Sequence, residues 1–551
     1  MRIGYIGLGA MGSALARRLL PTYPTQVWDL NPNAVAGLVV LGATAAPTTK
    51  DLGAACEVIF LCLPRSSDVE QVIFGSGGLA EGMAPGTLII DQTSGVPSAS
   101  GAIASRLASQ GIGFLDAPVA GGVPAAIAGM VTIMVSGADR YLSRAMPLLE
   151  AISPRVYRLS DRVGDAQATK LVNNCINSGY RMATLELVAA GRVLGLSLPV
   201  ITEVLDKGWG SNFTAKRLLP SLIAQLPSTN FALSLMLKDV NQCLALGLAS
   251  GVPMPISMLV RALMQTGLNL LSPQAGLDEI VSVIERLAAV SILDAGTPDA
   301  DFAPEDVLLE GRIGLCGANR LSAEVLAAIQ EIPDVDILTR DDFLSPELPS
   351  LIMDFTRRRP EDFKQLAADL ALRGVSLIDV APLSGQCDSI DKPVAWLCGG
   401  AKGAVERVRP LIEPISSTVI HCGPPGSARL AELVVTAAAV CNRAIVYENA
   451  HTGLEFGLEP GAMAVALNEG SGWSAEGAIV LKSLSTAGTT TRVTLRAMLE
   501  EMNELIGLAS AKNAPLFIPG MVRTLVEAEL ARFGPGATLD ALARPPGRFE
   551  K

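Results

Sequence analysis

Histidine is nearly absent from this chain of 551 residues: only His421 and His451 occur, both in the C-terminal half. Proton transfer in the N-terminal half must therefore use Lys, Tyr, Cys or a carboxylate. Aromatic residues are scarce, at 4%, and no block of Lys and Arg interrupts a net charge of −11. That combination leaves no footprint for nucleic acid or for an anionic membrane surface. Nine cysteines are scattered without one CxxC pair. They predict neither a disulfide framework nor a zinc site; buried free thiols in a reducing cytosol are the expectation. No His or acid cluster has metal-ligand spacing, so no metal is expected. The first strand-like run begins at Arg2 and leaves no room for a signal peptide before it. The apolar stretch 433–446 is interrupted by Asn442 and Arg443 and reads as too short to span a bilayer.

What is abundant is Ala, Leu, Val and Gly, over a length that predicts several domains with large cores. The chain also repeats itself. "RIGYIGLGAMG" (2–12) is echoed by "RIGLCGANRLS" (312–322), and "LIIDQTSGVPSAS" (88–100) by "LIMDFTRRRPEDF" (351–363). "FLDAPVAGG" (114–122) is echoed by "LIDVAPLSGQ" (377–386), and "RAMPLLEAIS" (144–153) by "RVRPLIEPIS" (407–416). "GDAQATKLVNN" (164–174) matches "GSARLAELVVT" (426–436), and "LMLKDVN" (235–241) matches "AMLEEMN" (497–503). The order is kept, and from Gly164 onward the offset is constant at 262 residues.

Each copy opens with short apolar runs alternating with helix-period segments, the pattern of βαβ units in a parallel sheet. Each closes with long helical periodicity. The expectation is an α/β Rossmann domain followed by an all-α domain, repeated as a shortened degenerate copy. The boundaries read as 1–162, 163–290, a linker at 291–308, then 309–425 and 426–551. The rear sheet is shorter because the counterpart of "EVIFLCLP" (57–64) and its helix is deleted. The tail "GPGATLDALARPPGRFEK" (534–551) is expected to fray.

Gly7, Gly9 and Gly12 follow the first strand and open a helix, in the G-x-G-x-x-G spacing. The first permits a tight turn, the second lets backbone approach a pyrophosphate, and the third allows close helix–strand packing. With Leu8, Ala10 and Met11 they form the expected dinucleotide turn, at a helix N-terminus with free N–H groups. Asp29, followed by Leu30 and Asn31, falls about 20 residues on, where a carboxylate accepts both ribose hydroxyls. It would repel a 2′-phosphate, and no Lys or Arg lies between Arg18 and Lys50. NAD is expected in preference to NADP. In the rear copy the glycines become Gly317, Asn319 and Ser322, and ordinary dinucleotide binding is not expected there.

Lys170 and Asn174 stand four apart on one helix face and can address one ligand; Gln167 and Ser178 extend the stripe. "GLGAMG", "DAPVAGG", "GDAQATKLVNN" and "LMLKD" occur in the order found in the β-hydroxyacid dehydrogenases, and residues 1 to about 290 resemble that family throughout. It includes 3-hydroxyisobutyrate dehydrogenase and tartronate semialdehyde reductase, and is related to 6-phosphogluconate dehydrogenase, whose C-terminal domain the helical part would resemble. The resemblance implies that Lys170 is the catalytic general acid/base and that Asn174 binds substrate. It implies that Gly121 and Gly122 form the carboxylate-binding turn, with Ala120 where the family usually has serine. It places Lys238, Leu63, Pro64 and Ser94 at the cofactor, and Trp209, Asn212 and Phe213 where members vary with substrate. A lysine serves as base when burial and nearby cations lower its pKa toward neutrality.

In the rear copy Lys170 corresponds to Glu432, Asn174 to Thr436 and Lys238 to Glu500. That half is expected to be inactive and structural, forming an internal pseudo-dimer with residues 1–290; further homo-oligomerisation is compatible. The reading is an NAD-dependent oxidoreductase for a small β-hydroxy acid or its semialdehyde. The alternative is a non-catalytic dinucleotide-binding or assembly protein.

Overall fold

The computed structural model describes residues 1–293, 311–320, 334–339, 347–385, 393–413, 418–484 and 490–543, with 326–327, 343 and 345. The expected linker lies outside the described residues from 294 to 308. The first sheet has nine strands: β1 (Ile3–Ile6), β2 (Thr25–Trp28), β3 (Thr44–Ala45), β4 (Val58–Leu61), β5 (Leu88–Asp91), β6 (Gly113–Asp116), β7 (Val119–Ala120), β8 (Thr132–Ser136) and β9 (Val156–Ser160). Their order is β3-β2-β1-β4-β5-β6-β8-β7, with β9 beside β8. β1 to β6 run parallel, and β8 turns antiparallel against β6. β1, β4, β5 and β6 are buried at every position, so they read as unbroken apolar runs. Tyr5, Phe60 and Ile90 pack into a core on one face; Ile6, Ile59 and Ile89 pack into another on the opposite face.

The second sheet has six strands: β10 (Ile313–Cys316), β11 (Val335–Leu338), β12 (Leu351–Asp354), β13 (Ser376–Leu383), β14 (Ala395–Gly399) and β15 (Val419–Gly423), in the order β11-β10-β12-β13-β14-β15. β10 pairs directly with β12, Ile313 opposite Leu351. In the first sheet β4 separates β1 from β5. The missing run is therefore an excised strand, with the sheet closed across the gap.

Both sheets hand over to a long helix through the same device. Asp116, fully buried, accepts from the Gln167 N–H (3.0 Å) and from Ser136 Oγ (2.6 Å). Asp379 accepts from the Gly426 N–H (2.7 Å) and the Arg429 N–H (3.0 Å). Each carboxylate satisfies free N–H groups at a helix start. Burial pushes Asp116 up to about 6 and Asp379 up to about 7. Gly164 and Gly426 precede these helices at φ +106 and +90; a Cβ there would press on the carbonyls of Pro97 and Pro360 at 2.8 and 2.5 Å.

The two long helices, Asp165–Val193 and Ser427–Phe456, lie against each other at the centre of the molecule, inside one hydrophobic core shared by both halves. At Gly179 an added Cβ would sit 2.8 Å from Ile445. Contacts across this seam come in reciprocal pairs at the 262-residue offset. Glu186 of the front helix accepts from the Ile518 N–H (2.9 Å), and Glu448 of the rear helix accepts from the Ile256 N–H (2.8 Å). Each carboxyl thus caps a helix of the other half. Asn212 and Ser474 pair across the seam; the Phe213 N–H donates to Trp473 O (3.0 Å) and the Ala475 N–H to Ser211 O (2.9 Å). Such two-way exchange defines an isologous contact, here made within one chain.

Two expectations are corrected. The rear helix has 30 residues and is long and apolar enough to cross a membrane; its apolar window is wholly buried inside this core, which accounts for its composition. The tail does not fray up to residue 543: Leu539–Ala543 forms a 3-10 turn with Leu539 buried. Asp540 anchors it by accepting from the Thr490 N–H (2.9 Å) and from Arg443 Nη1 (3.1 Å). Residues 544–551 lie outside the described residues.

Burial pushes Glu186 up to about 8 and Glu448 up to about 7, from ordinary values of 4.5. A carboxyl whose pKa is raised by folding takes up a proton on folding, so its contribution to stability declines as pH rises from its unfolded value to its folded one. The melting temperature is expected to fall from about pH 5 to about pH 8. Glu186→Gln, neutral and of the same shape, should flatten that fall in a pH series of thermal melts. An unchanged slope in the variant would remove Glu186 from the linkage.

Candidate functional site

One cavity of about 990 Å³ runs from the glycine turn to the front long helix. At its first end Gly7 bends the chain at φ +92, where a Cβ would collide with the Cys62 carbonyl. A Cβ at Gly12 would collide with the Gly7 carbonyl. Gly9 is different: open space lies where its Cβ would be, and it caps the helix Ala10–Leu19. That is the backbone cradle a pyrophosphate needs, so the residues present fit a dinucleotide. Leu8, Ala10, Met11, Asp29, Leu30 and Asn31 line the same end. The Asp29 carboxylate accepts from the Leu8 N–H (2.5 Å) and the Asn31 N–H (2.7 Å), which fixes it beside the turn. Leu63, Pro64 and Ser94 line the middle.

At the second end stands Lys170, only 6% exposed. Among the described residues its Nζ has no hydrogen bond or ion pair. Burial lowers its pKa to about 8; Asp239 opposes that shift and Lys238 adds to it. Asn174 donates to Asp239 Oδ2 (2.6 Å) and accepts from Asn173 Nδ2 (3.1 Å). Asp239, with no exposed surface, also pairs with Lys238 at 3.1 Å. Lys238 Nζ reaches across the crevice to the carbonyls of Pro64 (3.1 Å) and Ser94 (2.7 Å). It therefore ties the helical part to the strand ends that flank the cofactor crevice. Gly121 and Gly122, at φ +125 and +76, complete this end of the cavity.

Several predicted residues lie elsewhere. Ala120 does not line the cavity; it packs with Met134, Leu159, Ala166 and Ala466. Strand alternation explains this, since successive side chains of β7 point to opposite faces. Gln167 and Ser178 do not extend the stripe into the cavity either. Gln167 Nε2 donates to Thr93 O (2.7 Å) and its Oε1 accepts from the Gly95 N–H (2.8 Å), stapling that loop to the helix. Ser178 donates to Asn174 O within its own helix (2.8 Å). Of the 209–213 group only Phe213 lines the cavity; Trp209 packs in the shared core and Asn212 caps the next helix.

Other wall residues were not anticipated. Asp239 follows Lys238 in "LMLKD", and a lone acid in an apolar helix is its sequence signal. Asn177 and Arg181 continue the Lys170–Asn174 face at further helical turns and line the cavity. Ser471 comes from the rear half and carried no signal at all. It lines the cavity, its Oγ accepts from Asn173 Nδ2 (2.8 Å), and its carbonyl accepts from Asn177 Nδ2 (3.0 Å).

Known proteins resemble this chain in sequence. A family profile described as the NAD binding domain of 6-phosphogluconate dehydrogenase matches residues 2–160 and 321–423. A second, described as NAD-binding of NADP-dependent 3-hydroxyisobutyrate dehydrogenase, matches 164–284. The chain is 32% identical over 295 residues to 2-(hydroxymethyl)glutarate dehydrogenase of Eubacterium barkeri, covering 53% of this chain and 97% of that protein. It is 32% identical to the NAD-dependent L-serine dehydrogenase of Pseudomonas aeruginosa, over 52% of this chain and 97% of that protein. The chain belongs to the β-hydroxyacid dehydrogenase family. It is an NAD(P)-dependent oxidoreductase acting on CH–OH groups. A solved structure of 3-hydroxyisobutyrate dehydrogenase from Salmonella typhimurium is 25% identical, covers 51% of this chain and 99% of its own, and has a TM-score of 0.47.

The second copy of the dehydrogenase fold has different chemistry at the matching place. Glu432, where the front half has Lys170, meets Arg357 (3.0 Å) and Arg429 (2.8 Å). Glu501 meets the same two arginines at 3.0 and 2.8 Å. Arg357 matches Ser94 and Glu501 matches Asp239. Glu500, the counterpart of Lys238, is exposed and outside this network. Interlocked ion pairs, rather than a bare pair of carboxylates, stand at the positions matching Lys170, Ser94 and Asp239.

Gly9→Val places its added carbons in the open cavity and should leave the fold intact. Affinity for the dinucleotide is expected to fall at least about tenfold, one factor of ten per 1.4 kcal/mol of lost backbone contact. Titration of reduced-nicotinamide fluorescence reads it; unchanged affinity would place the nucleotide elsewhere.

Proposed function

We propose that the enzyme moves hydride between NAD and a small β-hydroxy carboxylic acid or its semialdehyde, with Lys170 as general acid/base. The observation that carries this is one buried, unpartnered ammonium facing the same cavity as the Gly9 cradle. A nicotinamide in that crevice supplies the hydride acceptor for oxidation and the donor for reduction. Lys170 in its amine form takes the hydroxyl proton, and in its ammonium form returns one to a carbonyl oxygen. Asn174, held by Asp239 at 2.6 Å, orients the hydroxyl or carboxylate beside it. The backbone of Gly121 and Gly122 faces the substrate carboxylate. Lys238, through its bonds to Pro64 and Ser94, sets the spacing between base and cofactor crevice.

Asp29 supports NAD over NADP. Its carboxylate is pinned at the ribose end by two N–H groups, where a 2′-phosphate would meet a like charge. The rear half is a structural partner within one chain, an inactive copy that builds the seam and lends Ser471 to the cavity wall. Supporting its inactivity is the Arg357–Glu432–Arg429–Glu501 network at the place of substrate.

Four outcomes test this reading. Lys170→Ala is expected to lower kcat by about 10²-fold or more, the scale of one acid/base group. In the wild-type enzyme, oxidation needs the free amine, so its rate should climb as pH passes about 8, and reduction should decline over the same range. Activity unaltered in Lys170→Ala, assayed with NAD and a panel of hydroxy acids, would sink the assignment. Asp29→Ser should raise the NADP-to-NAD ratio of kcat/KM at least about tenfold by removing the like charge. Residues 1–290 expressed alone should aggregate or self-associate, because the Gly179–Ile445 seam is laid open. A monomeric, fully active half by analytical ultracentrifugation and assay would overturn the structural role of the rear copy.

A further inference from the structure

Lys170, Asn174, Asn177 and Arg181 all line the cavity from one face of one helix. At a rise of about 1.5 Å per residue, Arg181 lies about 16 Å along the axis from Lys170. The cavity thus continues well beyond the carbon that exchanges hydride near Lys170. Its far end is basic. The charge of Arg181 is already met: Nη1 donates to Asp278 Oδ1 at 2.8 Å. Asp278 also accepts from the N–H groups of Ser228 (2.6 Å) and Thr229 (3.2 Å), which fixes the opposite wall.

Arg217 is not met. Its guanidinium lies over the Phe213 ring at 5.4 Å, and among the described residues it makes no ion pair or hydrogen bond. It is half-buried and lines the cavity. The helix that carries it, Phe213–Ile223, is set against this end because Asn177 Nδ2 donates to Thr214 Oγ1 at 3.4 Å. The glycine turn adjoins the same wall: a Cβ on Gly122 would lie 3.9 Å from Thr229 Oγ1. The acids that line the cavity do not serve Arg217. Asp29 and Asp68 belong with the cofactor crevice, and Asp239 is taken by Lys238 and Asn174. A partly desolvated cation without a counter-charge is costly, and an anionic ligand relieves it.

We propose that Arg217 forms a second anion subsite, and that the substrate is a β-hydroxy acid bearing a second anionic group several bonds from the first. This rests on the hydroxy-acid reading of the Lys170 end. One carboxylate lies at Gly121–Gly122 and Asn174; the other is held at Arg217. A bidentate guanidinium accepts a carboxylate or a phosphonate equally well.

The test compares 3-hydroxyisobutyrate with 2-(hydroxymethyl)succinate, 2-(hydroxymethyl)glutarate and the phosphonate analogue of the latter. Wild-type enzyme, Arg217→Met and Arg217→Lys are assayed for kcat and KM, and binding is measured by calorimetry. The wild type is expected to favour a dianion over the monoanion at least about tenfold in kcat/KM. In Arg217→Met that preference should collapse at least about tenfold, through KM rather than kcat, with Arg217→Lys between. The better of the two dianion chemistries identifies the second group. A preference unmoved in Arg217→Met, or a wild type that favours the monoanion, overturns the subsite. If the wild type binds a dianion through Arg217 but turns over none of the acids, the subsite stands and the dehydrogenase reading of the Lys170 end falls. Equal dissociation constants for wild type and Arg217→Met remove the subsite whatever the turnover.

Discussion

The contact between the two long helices governs everything else in this molecule. Each carries a buried glutamate that caps a helix of the opposite half, Glu186 at Ile518 and Glu448 at Ile256. Among the described residues, neither glutamate has a capping partner in its own half. A helix start buried in an apolar core without an acceptor would leave N–H groups stranded, at a cost of about 1–3 kcal/mol for each. The two halves therefore complete each other's backbone hydrogen bonding as well as each other's core. This constraint explains why a copy with altered site chemistry keeps its fold.

The same seam reaches the chemistry. Asn173 and Asn177 of the front helix hold the Ser471 loop of the rear half. Asn173 also donates to Asn174, which in turn is held by Asp239. A chain of hydrogen bonds thus runs from the rear loop to the residue beside Lys170. Burial in this wall is what strips water from Lys170 and brings its pKa down to about 8. The rear half, through Ser471, helps to build the cavity that Lys170 lines.

The electrostatics of the two copies diverge from one framework. Both start the long helix with a buried aspartate on the last parallel strand before the antiparallel pairing, Asp116 on β6 and Asp379 on β13. Beyond that point, one copy keeps an open crevice with an isolated lysine, and the other fills the matching space with arginine–glutamate pairs. Removing β4 from the rear sheet brings β10 against β12 and takes away the strand whose end, Leu63 and Pro64, borders the front cavity.

Much of this was legible in the chain. Fully buried strands read as unbroken apolar runs, and glycines at fixed spacing marked the turn. A 262-residue offset marked the duplication, and the Lys170–Asn174 spacing marked one helix face. These are local properties, set by periodicities of two and 3.6 residues and by the steric demands of single glycines. The side on which Ala120 faces, the loop that Gln167 staples, and the unpaired state of Arg217 were not legible. Nor was the arrival of Ser471 from about 300 residues away. Those depend on which groups meet after the halves close on each other. Burial, pairing and charge compensation are properties of neighbours in space, and only the folded chain chooses the neighbours.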